Sequence, residues 1–150
     1  MYPNWLPMKL KQKSLEQIIH KVPEYNNDLD RIDLLYANEV DWQYMNAMKN
    51  MSDCTDETLS GFLNLSVKTF REYKKPNAAF NAQLQEHVLM ILALFKQGQA
   101  LFGSMTLFEH WLNEPHFYFN GKAPAAFLNT VSGIKFIGDR LTGMLYGDNA

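Results

Sequence analysis

The chain has a single cysteine, Cys54, so no intrachain disulfide, cysteine-ligated zinc or iron–sulfur cluster can be assembled within it. A lone thiol suits a reducing cytosol, and packing as a small, half-buried apolar side chain is its plainest role. Long apolar runs are missing too. The longest, Val88–Phe95, is eight residues held between His87 and Lys96, whereas a helix that spans a bilayer needs about 20. The opening MYPNWLPMKLKQK has neither the apolar stretch nor the small-residue cleavage site of a secretion signal. A soluble, cytoplasmic protein without membrane contact is expected.

Excess charge of one sign is also lacking. The formal net charge is −2, and it is evenly spread: residues 1–75 hold 10 Lys/Arg and 11 Asp/Glu, residues 76–150 hold 4 and 5. A nucleic-acid contact would therefore depend on a local patch and not on the global field. Nor are the common catalytic motifs present. There is no GxSxG and no GxGxxG. FNGKA resembles part of a phosphate loop, but His116 stands where that loop needs Gly and Ala123 where it needs Ser or Thr. His110, Glu114 and His116 lie close in sequence, yet Pro115 breaks the helix that would present them together. No catalytic residue, metal site or cofactor is expected, and an enzyme is the weakest of the readings considered.

What the sequence does contain is helix. Hydrophobic residues make up 47% and charged residues 20%, the balance of a chain that folds around a real core. Apolar residues recur at spacings of three and four, strand-like alternation is scarce, and no repeat or low-complexity tract interrupts the pattern. The fold class is all-α. Ser14 can cap a short helix with Leu15, Ile18 and Ile19 inward, ended by Pro23 and Asn26-Asn27-Asp28. A second helix is expected from Leu29 or Ile32. A third should run from about Asp41 to Met51, with Trp42, Met45 and Met48 as core.

Thr55 or Asp56 can cap a helix through Leu63, and Ser66 another over VKTFREYKK, closed by Pro76. Two short helices across a tight turn make a helix-turn-helix arrangement. Val67 and Phe70 of the second share a buried face. Its outward side holds Lys68, Arg71, Lys74 and Lys75 against Glu72, a local net charge of +3. The next helix, about Asn81 to Phe102, is apolar nearly all round through Leu84, Val88, Leu89, Ile91, Leu92, Leu94 and Phe95. It is either the central core helix or part of a dimer interface. Beyond it, Ser104 or Thr106 can cap a helix to Asn113, and an aromatic loop runs from Glu114 to Gly121. Pro124 opens a turn of helix to Leu128, and Thr130 or Ser132 caps a last helix from Gly133 to about Tyr146.

The final third holds, in order, Phe102-Gly103, Trp111-Leu112, Pro115, Gly121 with Pro124 three residues on, Leu128, Gly133 and Tyr146-Gly147. On these residues it resembles the toxin-binding domain of Xre/MbcA/ParS antitoxins. Their order and spacing agree with that family's pattern, and the helix-turn-helix lies where the family carries one. Two positions depart from it: HFYFN before Gly121 is more aromatic than usual, and Glu72 sits among the bases of the recognition helix.

The resemblance implies an Xre-like helix-turn-helix bundle followed by a small helical toxin-binding domain. The chain then divides into a leader (1–28), a helix-turn-helix domain (29–78), and a connecting helix with the toxin-binding domain (79–150). It further implies an antitoxin homodimer that neutralises a RES-domain, NAD-consuming toxin by covering its nucleotide cleft and represses its own operon at an operator. The implied toxin contacts are Lys122, Arg140, Leu145, Tyr146 and Gly147, although Arg140 could equally do no more than solvate the last helix. The implied DNA contacts are Ser66, Lys68, Thr69, Arg71, Lys74 and Lys75, with Lys68, Thr69 and Arg71 nearest the bases and Lys74 and Lys75 on phosphates. The alternative is a stand-alone transcriptional regulator whose C-terminal half only dimerises.

Overall fold

A computed structural model describes residues 15–147, which form α-helices and short 3₁₀ turns with no strand among them. In chain order the helices are α1 (residues 15–21), α2 (Asp28–Ala37), α3 (Trp42–Met51), α4 (Asp56–Phe62), α5 (Val67–Glu72), α6 (Ala82–Phe102), α7 (Met105–Asn113) and α8 (Val131–Leu145). The 3₁₀ turns Phe117–Phe119 and Pro124–Phe127 lie between α7 and α8.

Local chemistry sets most of these boundaries. Each helix start leaves backbone N–H groups without helical partners, and a preceding polar side chain satisfies one of them at about 1 kcal/mol per cap. Asp41 accepts from Gln43 N, Thr55 from Thr58 N, Ser66 from Thr69 N, Asn81 from Leu84 N, Ser104 from Leu107 N and Thr130 from Gly133 N. Thr55, Ser104 and Thr130 thus settle three positions that the sequence left open. Ser14, the expected cap of α1, lies outside the described residues.

Several expected boundaries shift. The second helix starts at Asp28, ahead of Leu29 and Ile32, because Asn27 accepts from Asp30 N and serves as its cap. The last helix starts at Val131, two residues before Gly133, and ends at Leu145. The helix expected over VKTFREYKK stops at Glu72, short of Lys74 and Lys75. Lys74 N and Lys75 N bond three residues back to Arg71 O and Glu72 O, a turn that lets Tyr73 pack on Phe80 with ring centroids 4.8 Å apart.

α6 is the centre of the molecule. Its residues Val88–Phe95 are all buried, and it packs against α2, α3, α7 and α8. A single apolar core draws on residues from Ile18 to Leu141. The core reading of α6 therefore holds among the described residues. α7 crosses it closely at Gly98, where a Cβ would overlap the Phe108 ring, so only glycine admits this approach. Gly133 has a similar task inside α8. A Cβ there would overlap the Phe127 carbonyl oxygen, so this glycine permits close packing of the Pro124–Phe127 turn and does not itself make a turn.

The segment before α2 is fastened by long-range contacts. Tyr25 donates from its hydroxyl to Asp139 Oδ1 at 2.8 Å and lies 3.0 Å from Thr142 Oγ1; its ring covers Gly138. Lys96 Nζ donates to Val22 O at 2.9 Å, and burial holds this ammonium below the usual lysine pKa. Buried Arg31 donates to Tyr25 O at 2.9 Å and to Asp28 at 2.6 Å. No single helix among the described residues is long and apolar enough to cross a membrane.

Candidate functional site

The loop after α7 is tightly determined. Pro115 cannot continue the helix, and Asn120 (φ 56°) with Gly121 (φ 77°) reverses the chain in the left-handed region. His116 N then donates to Lys122 O at 3.2 Å and Gly121 N to His116 O at 3.0 Å. His116 stacks near Trp111, its ring nitrogen 3.1 Å from Trp111 O. Phe119 is the anchor: buried, it meets Trp111, Phe127 and Phe136 at centroid distances of 6.1, 5.6 and 5.7 Å.

With Phe119 inward, its neighbours are turned outward. Phe117 is 101% exposed, Tyr118 54% and Phe136 on α8 44%. The Arg140 guanidinium lies over the Tyr118 ring at 4.0 Å, a cation–π stack that holds the charge in place, and exposed Lys122 closes the same loop. Buried Arg140 Nε has no hydrogen-bond partner among the described residues. The result is an exposed face of aromatic rings with a basic edge. Of the five residues expected from sequence, it gathers Arg140 and Lys122.

Leu145, Tyr146 and Gly147 lie elsewhere. Five residues of helix separate Arg140 from Leu145, a rotation of about 140°. Leu145 and Tyr146 are exposed and form the rim of a cleft of about 520 Å³ that is lined by the 23–26 turn, α6 and α8. Gly147 adopts φ 100° just past the helix. Phe117 and Phe136 were not singled out from sequence. Composition made the loop aromatic, but only the placement of Phe119 reveals which rings are left outside.

The residues expected from sequence to contact DNA lie on α5 and the turn that follows it. Asn64, in the left-handed region at φ 58°, turns the chain between α4 and α5, and its side chain donates to Asn129 O at 2.8 Å. The Ser66 and Thr69 hydroxyls are bonded to each other at 3.0 Å, within the cap of α5. Lys68, Lys74 and Lys75 are exposed and make no salt bridge among the described residues. Arg71, by contrast, pairs with Asp56 at 2.9 Å. Asp56 also takes Lys49 at 3.0 Å, and the hydrogen bonds from these two cations hold its carboxyl below the usual range.

The Cys54 thiol donates to Glu109 at 3.2 Å, and burial is the main cause of its pKa being pushed up to about 12. His110 lies 3.3 Å from Glu114 in an exposed pair. No group of three or more His, Cys, Asp or Glu side chains among the described residues could hold a metal ion.

By class, the described residues make an all-helical protein with an exposed aromatic and basic face near its C-terminal end. The family is specific: residues 97–147 match the model of the antitoxin Xre/MbcA/ParS C-terminal toxin-binding domain. The chain thus carries that domain over these residues, and the domain supports a role in a toxin–antitoxin system with a toxin as partner. The aromatic face lies wholly within the matched stretch. Comparison with curated proteins gives no match.

Proposed function

We propose that this protein is the antitoxin of a RES-type, NAD-consuming toxin, which it neutralises by covering the toxin's active-site cleft. The observation that carries the reading is the exposed set Phe117, Tyr118, Phe136 and Arg140 inside the toxin-binding domain. Binding energy at interfaces concentrates in aromatic and arginine anchors that become buried. Tyr118, Phe136 and Arg140 are already held by the Phe119 ring and by the Arg140 stack on Tyr118, so these three lose little freedom on docking. Arg140 and Lys122 bring positive charge, which suits a cleft shaped for a pyrophosphate. Leu145, Tyr146 and Gly147, at the far rim of α8, would form a separate contact.

The same reading has the protein repress its own operon as a homodimer, with α4 and α5 as the DNA-binding unit of residues 29–78. Lys68, Thr69 and Arg71 would face the bases, with Ser66 at the head of the helix; Lys74 and Lys75, in the turn beyond α5, would touch phosphates. The exposed apolar stripe Leu29, Ile32 and Tyr36 on α2 lies outside the toxin-binding domain and is free for self-association. The experiment is to co-express the chain with the tagged product of the adjacent gene and purify on the tag. Stoichiometric co-elution supports the antitoxin. Independent elution of two folded proteins favours a stand-alone regulator whose C-terminal half dimerises.

A further inference from the structure

α3, α4 and α5 meet at a shared carboxylate. Asp56, the first residue of α4, has a side chain only 17% exposed; it receives Lys49 on Oδ1 at 3.0 Å and Arg71 Nε on Oδ2 at 2.9 Å. The Arg71 side chain is itself 61% exposed. Its bond runs through Nε, and Glu57 Oε1 lies 3.9 Å from Nη2, a loose ion pair beyond hydrogen-bond reach. The guanidinium is therefore held at its base, and its terminal nitrogens make no hydrogen bond among the described residues. Those nitrogens are the fork that pairs with O6 and N7 of a guanine in the major groove.

A carboxylate at the base of the fork acts in two ways. It fixes the long side chain in one rotamer, so a base contact costs less ordering. It also disfavours a phosphate at the same guanidinium, because Asp56 and Glu57 would repel it. We propose that Asp56 is a positioning residue that makes Arg71 a guanine reader and not a general phosphate contact. The proposal rests on the DNA reading of α4 and α5 given above. It assigns to the acidic start of α4 a part in sequence discrimination, with Lys74 and Lys75 supplying affinity that does not depend on sequence.

The test measures binding of the full chain, by fluorescence anisotropy, to three duplexes of equal length: the DNA directly upstream of this gene, the same DNA with 7-deazaguanine for guanine, and a base-shuffled control. The wild-type protein should prefer the upstream duplex and lose affinity on 7-deazaguanine substitution. Asp56→Asn should bind the shuffled duplex more tightly, reduce the upstream-to-shuffled ratio roughly tenfold and respond little to 7-deazaguanine. Arg71→Lys, which keeps the charge but not the fork, should lose the ratio with little loss on shuffled DNA. It decides the matter if Asp56→Asn melts below the assay temperature by circular dichroism. An unchanged ratio in these variants, or equal weakening on upstream and shuffled DNA by folded Asp56→Asn, overturns the proposal. A wild-type protein that binds no duplex removes the DNA reading itself, and the proposal with it.

Discussion

Phe117→Ala separates binding from folding more cleanly than any other substitution in the structure. The side chain is 101% exposed, so its removal creates no cavity and breaks no core contact. Stability should stay within about 0.5 kcal/mol of wild type. A phenylalanine offers about 200 Å² of surface. If all of it is covered by the toxin, the apolar contribution at about 25 cal/mol per Å² is at most about 5 kcal/mol. Ordering of the complex and incomplete coverage lower this to about 2–3 kcal/mol, a weakening of Kd by about 30- to 150-fold. The assay is calorimetric titration of purified toxin with each protein, beside thermal melts of both. Unchanged affinity in a protein with unchanged Tm would refute the assignment of this face to the toxin.

Arg71→Ala should weaken operator binding by gel shift while leaving toxin neutralisation intact, since Arg71 lies outside the matched domain; loss of neutralisation by a folded variant would contradict that division. Gly133→Ala forces a Cβ into the Phe127 carbonyl oxygen. The cost should be about 2–3 kcal/mol, seen in thermal melts as a Tm about 5–10 °C lower. Cys54, with its pKa pushed up to about 12, is protonated at pH 8. Its reaction with a disulfide reagent should be far slower in the folded protein than in guanidinium chloride, and equal rates would show the thiol to be unprotected.

Much of the helical plan is legible because capping is local: Thr55, Ser66, Ser104 and Thr130 each stand three residues before the N–H that they satisfy. The order of Phe102-Gly103, Trp111-Leu112, Gly121 and Tyr146-Gly147 is likewise readable, since turns and close approaches demand those residue types. What is not legible depends on distant partners. The Tyr25 bond to Asp139 spans 114 residues, and nothing near Tyr25 announces it. The +3 patch is visible as a run of bases, but the Asp56 carboxylate that engages Arg71 comes from another helix, 15 residues away. The Ser66 cap and the Pro76 stop leave the helix free to run through Lys75, yet α5 ends at Glu72, where Tyr73 packs on Phe80. The site shows the same division. Arg140 and Leu145 are near in sequence, while the helix turns them to different sides of the molecule.

The most direct test is cellular NAD after induction of the adjacent gene, alone and together with this chain. The antitoxin account predicts that NAD collapses and growth stops with the neighbour alone, and that both return when the chain is co-expressed. NAD that stays depleted in the presence of folded, abundant protein would contradict it.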